Sequence, residues 1–145
     1  MDASVTVESV IKPTEDEAKV EHALHNLFPS EPIHKTNMRG NEAVLKIQGD
    51  GLTFLSTLRN LIKQERIRTA ARSILFSRTE GQRIRIYLNK QAAFVGRVSF
   101  CEPTGESPNG PISIEIESSD PQSVIDFLAN PGPGFRQEYV GRRRR

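Results

Sequence analysis

Two histidines three residues apart are the first candidates for chemistry in this sequence. His22 and His25 lie in the stretch "KVEHALHNLF", where helical spacing would allow both imidazoles to bind one metal ion. No third ligand with recognisable spacing accompanies them, whereas zinc sites use at least three protein ligands. We therefore interpret both as surface histidines on a polar helix face and predict no metal site.

A thiol nucleophile and a phosphate-binding loop are two further possibilities. Cys101, the only cysteine, could use His34 as its base, but nothing in the sequence marks this thiol as activated. The stretch "QGDGL" places two glycines before a helix, yet it lacks the lysine of a P-loop and the third glycine of a dinucleotide-binding loop. Glu115 and Glu117 share one face of a predicted strand, where solvation explains them. The sequence therefore predicts no catalytic residue and no cofactor.

Positive charge is concentrated in the middle of the chain. The whole sequence has a net charge of +2, but residues 59–100 contain ten basic and two acidic side chains, a net charge of +8. Such a concentration can bind the phosphate backbone of a nucleic acid, because Arg and Lys contacts release counterions. It is equally typical of a solvated face, and composition alone does not separate the two.

The stretch "RIRIYL" places part of this charge on one side of a strand. Side chains alternate across a strand, so the apolar residues face the core while Arg83, Arg85 and Tyr87 face the opposite side. The alternating stretch 93–100 predicts a second strand, which would add Arg97 to the same exposed side. The interpretation therefore depends on these two strands pairing with each other.

A predicted helix in "LTFLSTLRNLIKQERI" adds further cations. Arg59, Lys63 and Arg66 fall within about 60° of one another, along one border of its apolar stripe. Lys90 lies in the polar segment "NKQAA", which either donates to phosphates or holds a turn in shape. The predicted nucleic-acid-binding residues are Arg59, Lys63, Arg66, Arg83, Arg85, Tyr87, Lys90 and Arg97.

The remaining patterns predict the elements that position these residues. An alternating first strand is followed by an amphipathic helix with a capping box at Thr14 and Glu17, a strand pair, further helices and a last strand. We predict an α+β fold with a mostly antiparallel sheet and helices packed on one face, forming a single domain over residues 1–130. Residues 131–145, which end in four arginines, are predicted to be a flexible basic tail. No apolar run is long enough to span a membrane and no secretory signal is present, so we expect a cytoplasmic protein.

Three segments carry a resemblance to a known family. The stretches "PTEDEAKVEHALHNLFP", "LRNLIKQERIRTAARSIL" and "YLNKQAAFVGRVSFCEPTGESPNGPISIEI" resemble a family of small, uncharacterised archaeal proteins for which RNA binding has been predicted. The resemblance covers residues 3–130 and implies an α+β fold similar to that of the large-subunit ribosomal protein that binds 5S RNA. By fold analogy it also implies RNA as a partner. The matching motif positions include Asn89, Lys90 and Gln91, to which the family assigns no role.

Three functions from different classes follow from this sequence. The preferred hypothesis is a cytoplasmic, non-enzymatic protein that binds structured RNA, such as ribosomal RNA, through phosphate contacts and a base stacked on Tyr87. The alternative is a protein-interaction module, in which the exposed sheet face forms a homodimer and its arginines pair with Glu15, Asp16 and Glu21 of the partner. The third is an enzyme that binds a small phosphorylated metabolite with the same basic groups.

Overall fold

The computed structural model describes residues 2–103 and 110–130. Within these ranges the chain forms six strands and five α-helices. The strands are β1 (Ser4–Ile11), β2 (His34–Asn37), β3 (Ala43–Asp50), β4 (Thr79–Glu80), β5 (Arg83–Leu88) and β6 (Ile112–Glu117). The helices are α1 (Glu17–Leu27), α2 (Ser56–Gln64), α3 (Arg68–Ser77), α4 (Lys90–Phe94) and α5 (Pro121–Leu128). The predicted basic tail, residues 131–145, lies outside the described residues.

The six strands form one sheet in the order β2-β3-β1-β6-β5-β4, and all neighbouring strands are antiparallel. The predicted α+β fold with an antiparallel sheet is therefore confirmed. β1 lies at the centre, where Val7 is paired with Ile47 of β3 on one side and with Ile114 of β6 on the other.

The core lies on one face of this sheet, which is covered by the helices. Alternate strand residues such as Val7 and Ile114 are fully buried there, as are Leu24 of α1, Leu58 of α2 and Leu75 of α3. No described helix covers the opposite side, which we call the open face. Tyr87 lies on the open face. The charged strand residues on this face are Glu8, Lys46, Asp50, Glu80, Arg83, Arg85, Glu115 and Glu117.

Helix α1 begins later than the predicted capping box implies. Asp16 is the N-cap, and its carboxylate accepts a hydrogen bond from the backbone N–H of Ala18 at 3.0 Å. Thr14 therefore lies outside the helix. An Asp at this position satisfies an otherwise unpaired N–H and also favours the positive end of the helix dipole.

The predicted strand over residues 93–100 is wrong. The Asn89 side chain accepts a hydrogen bond from the N–H of Ala92 at 2.9 Å and so begins the short helix α4. Gly96 then takes a φ of +79°, a conformation that glycine adopts without steric cost, and turns the chain. Only an isolated bridge from Leu88 to Phe100 remains of the expected pairing.

Candidate nucleic-acid interface

The structure does not gather the eight predicted residues into one surface. Arg83, Arg85 and Tyr87 lie on the open face, as their alternation in β5 predicts. Arg59, Lys63 and Arg66 belong to α2 and the turn after it, on the other side of the sheet. Arg97 is paired with Glu65 on the helix side of the sheet, and Lys90 is buried against Glu15.

The arginines of the open face are paired with carboxylates of the neighbouring strand. Arg85 donates to Glu115 at 2.7 Å, and this hydrogen bond raises the pKa of the guanidinium. Arg83 contacts Glu115 and Glu117, each at 3.3 Å. These contacts follow from the register of β5 and β6, which places Arg83 opposite Glu117 and Arg85 opposite Glu115.

The open face as a whole is not positive. The charged residues of its strands are the three cations Lys46, Arg83 and Arg85 and the five carboxylates Glu8, Asp50, Glu80, Glu115 and Glu117, which give a net charge of −2. Tyr87 is half-buried, and the guanidinium of Arg78 lies 5.5 Å from the centre of its ring. Arg78 is paired with Glu102 at 3.0 Å, so these two residues leave the net charge unchanged. A phosphate backbone would therefore meet more negative than positive charge on this side.

Lys90 is not a surface residue. Its relative exposure is 6%, and its ammonium donates to both carboxylate oxygens of Glu15, at 3.0 and 3.1 Å, and to the backbone oxygen of Val10. Burial lowers the pKa of Lys90, although the ion pair with Glu15 opposes this shift. The expectation that Lys90 is exposed to RNA phosphates is therefore corrected: Lys90 links the start of α4 to β1 and the loop before α1.

Arg97 lies on the helix side rather than on the open face. Its guanidinium donates to both carboxylate oxygens of Glu65, with the shortest distance 3.0 Å from Nη2 to Oε1. These hydrogen bonds lower the pKa of Glu65 and raise that of Arg97. The contact joins the turn after α4 to the C-terminal end of α2.

The remaining three predicted residues form a surface that we call the basic border, consisting of Arg59, Lys63 and Arg66. All three are exposed, and none of them has a carboxylate within 4.0 Å among residues 2–103 and 110–130. Arg59 lies over the ring of Phe127 in α5, with 4.7 Å from its guanidinium carbon to the ring centre. The basic border therefore differs from the paired cations of the open face in offering charge that no described carboxylate neutralises.

The residues considered for catalysis are not assembled into a site. His34 lies on β2, at one edge of the sheet, whereas Cys101 donates its backbone N–H to Tyr87 of β5 near the other edge. Over the described part of the chain, no three His, Cys, Asp or Glu side chains come together in a way that could hold a metal ion. None of the described helices is long and apolar enough to cross a membrane.

Sequence reasoning missed the exposure of Phe94 beside α1. Phe94 and Val95 are 38% and 65% exposed, whereas alternation in the predicted strand puts only Val95 on the exposed side with Arg97 and Phe94 on the opposite side. The signal that could have located them is the N-cap residue Asn89, followed by good helix formers.

A family model described as RNA binding matches residues 4–118 of this single-sheet α+β chain, and it defines the class of protein to which the chain belongs. A UPF0201 protein of Sulfolobus acidocaldarius is 41% identical over 124 residues, covering 86% of this chain and 85% of that protein. A UPF0201 protein of Sulfurisphaera tokodaii is 40% identical with the same coverage. The crystal structure of a UPF0201 protein from Methanococcus jannaschii matches with a TM-score of 0.79 and 27% identity, covering 90% of this chain and 96% of that one. The chain belongs to this RNA-binding family of archaeal UPF0201 proteins. The similarity to the 5S-RNA-binding ribosomal protein stays a prediction.

Proposed function

We propose that this protein is a cytoplasmic, non-enzymatic RNA-binding protein that contacts the phosphates of a structured RNA through the basic border. The observation that carries the proposal is the contrast between two sets of cations. Arg59, Lys63 and Arg66 are exposed without a described carboxylate partner, whereas Arg83 and Arg85 are each bound to glutamates. An unpaired cation can exchange its counterions for a phosphate without first breaking an ion pair of its own chain.

The geometry of α2 supports contact with a continuous phosphate backbone. Residues four apart on a helix are separated by about 6 Å along its axis and lie on nearly the same side. Arg59 and Lys63 have this spacing, and Arg66 follows three residues later. The ring of Phe127 is covered by Arg59, so this surface offers charge rather than a stacking ring. That combination favours recognition of backbone shape over base sequence.

A salt titration with two charge-matched double variants tests the proposal. Lys63→Gln with Arg66→Gln removes two charges from the basic border, and Arg83→Gln with Arg85→Gln removes two from the open face. Both variants have the same net charge, so any difference in affinity reports where the charges lie. Binding of a labelled hairpin RNA is measured by fluorescence anisotropy at several salt concentrations.

We expect the border variant to bind more weakly at every salt concentration. Each lost phosphate contact lowers the slope of log K against log salt by about 1, so the border variant should lose about 2. The open-face variant should keep the wild-type slope. Equal losses in both variants would show that net charge alone governs binding, and absence of wild-type binding at low salt would refute RNA binding itself.

A second candidate function, association with another copy of the chain, is favoured by the uncovered open face. Its strands carry side chains of both charges, and opposite charges that meet across an interface can specify how two copies pair. Of the three expected partner residues, Glu15 is buried against Lys90, whereas Asp16 is exposed and Glu21 is partly exposed, so an interface would use Asp16 and Glu21 rather than Glu15. Light scattering of the wild type and of a Tyr87→Glu variant decides this question: a dimer that Tyr87→Glu dissociates would support association.

A further inference from the structure

Phe94 and Val95 form an exposed apolar site that the phosphate contacts do not use. Among the described residues only three large apolar side chains are exposed, and these two are adjacent in the chain. They lie at the end of α4, where the amide of Asn26 in α1 donates to the backbone oxygens of Ala93 and Phe94 at 2.9 and 3.0 Å. These bonds fix the turn that presents the ring, so its exposure is built into the fold.

The surroundings of the Phe94 ring are typical of a site for a flat ligand. The ammonium of Lys19 lies 5.8 Å from the ring centre, and His22 meets the ring edge-on with 5.3 Å between ring centres. A cleft of about 530 Å³ lies beside the ring, between α1 and α4, within the range of about 300–1,000 Å³ that small-molecule sites occupy.

The charges around the cleft are balanced. Glu17 and Glu21 are each about 160° from Lys19 around the helix, so they point away from Phe94. Two carboxylates do line the cleft: Glu15 is neutralised by its ion pair with Lys90, and Asp16 is exposed and accepts the N–H of Ala18. Lys19 therefore supplies a cation beside the ring, with Asp16 as a carboxylate of the same cleft.

The site is linked to the basic border through Arg97. Phe94 precedes Arg97 by three residues, at most about 11 Å of backbone, and Arg97 contacts Glu65, the residue immediately before Arg66. One ion pair and a short piece of chain therefore connect the exposed ring with the end of α2.

We propose that Phe94 stacks on one unpaired base of an RNA whose neighbouring duplex lies on the basic border, with Lys19 contacting the phosphate of that nucleotide. This inference rests on the proposed function and narrows its ligand to a junction between duplex and unpaired RNA. Stacking on an aromatic side chain contributes enough affinity per base to be measured and tolerates any base. The proposed site therefore prefers an unpaired nucleotide beside a duplex and does not select a particular base.

Two short RNAs that share one duplex test the proposal, one with blunt ends and one with a single unpaired adenosine. Affinities are compared for the wild type, Phe94→Ala and Met38→Ala, a matched control because Met38 is also exposed. The wild type and Met38→Ala should prefer the RNA with the unpaired adenosine at least about five-fold, the lower limit for one base stack. Phe94→Ala should lose this preference and keep its affinity for the blunt duplex.

A spectroscopic readout keeps the test valid if Phe94→Ala folds poorly. The chain contains no tryptophan, so Phe94→Trp introduces a single reporter at the site. The RNA with the unpaired adenosine should quench its emission, and the blunt duplex should not. Equal affinities of the wild type for both RNAs with unchanged emission would overturn the stacking site while leaving duplex binding intact. Failure of the wild type to bind either RNA would overturn the proposed function and this inference together.

Discussion

Arg66 offers a perturbation whose effects on stability and on RNA binding should have opposite signs. It follows α2 with a φ of +61°, in the left-handed region. Its N–H donates to the oxygen of Lys63 at 3.1 Å, and the N–H of Ile67 donates to the oxygen of Ile62 at 3.3 Å. This pair of hydrogen bonds is the Schellman motif, in which glycine is the usual residue at the position that Arg66 occupies.

The expected change in the free energy of unfolding follows from the backbone conformation of residue 66 alone. The left-handed conformation costs a residue with a Cβ roughly 1–2 kcal/mol. Arg66→Gly removes this cost, but the greater freedom of glycine in the unfolded chain returns roughly 0.4–1 kcal/mol of it. We expect the free energy of unfolding to rise by about 0.5–1 kcal/mol, which corresponds to a Tm increase of about 1–4 °C for a chain of this size.

Thermal and urea unfolding of three variants separate the backbone effect from the side-chain effect. Arg66→Gly should be more stable than the wild type, Arg66→Ala should be close to it, and Arg66→Lys should match it. RNA affinity should fall equally in Arg66→Gly and Arg66→Ala, because both lose the same phosphate contact, and should be largely retained in Arg66→Lys. The alanine variant is therefore the control for the loss of charge without relief of the backbone.

Two results would refute this reasoning. A loss of stability in Arg66→Gly would mean that the arginine side chain contributes packing or hydrogen bonds that outweigh its backbone cost. A gain in stability without any loss of RNA affinity would mean that Arg66 is an unfavourable residue with no compensating contact, and it would remove Arg66 from the basic border.

Two further predictions concern the ion pairs that hold α4 and the turn after it. Lys90→Met leaves the buried carboxylate of Glu15 without its partner and should lower the free energy of unfolding by about 3–5 kcal/mol. The double variant Glu15→Leu with Lys90→Met removes both charges and should recover a large part of this loss in urea unfolding. Equal stability of the single and double variants would contradict the prediction. The pKa of Glu65 is lowered by Arg97, so this ion pair contributes stability above the ordinary pKa of a glutamate and loses it as the pH falls through the lowered pKa. In urea unfolding, Arg97→Gln should therefore be less stable than the wild type at pH 7 and as stable as the wild type at strongly acidic pH. A difference in stability that persists in acid would mean that the ion pair with Glu65 is not its cause.

The sequence correctly predicted those elements in which the spacing of apolar residues matches the period of the strand or helix that forms. The alternation of β5 placed Arg83, Arg85 and Tyr87 on one face correctly, because side-chain direction in a strand depends only on position. The same reasoning failed at residues 93–100, where the cap formed by Asn89 and the turn at Gly96 outweighed a weak alternation. Capping bonds are local, so this error was avoidable from the sequence.

The partners of the cations could not be predicted in the same way. Glu115 and Glu117 are some thirty residues from Arg83 and Arg85 along the chain and meet them only because β6 lies beside β5. Strand order is decided by the packing of the whole core, and no local pattern encodes it. The sequence therefore indicated where positive charge occurs but not which of those charges the fold neutralises.

The position of β1 has a consequence for how the molecule is made. Among the described strands, the first in the chain is paired on both sides, and one of its neighbours, β6, is the last of them. Closing contacts across nearly the whole chain is slow because the entropy of the long loop is lost before the pairing is gained. On a translating ribosome the centre of the sheet stays incomplete until β6 has emerged, so we expect the sheet to acquire its native structure in one late, cooperative step that waits for β6.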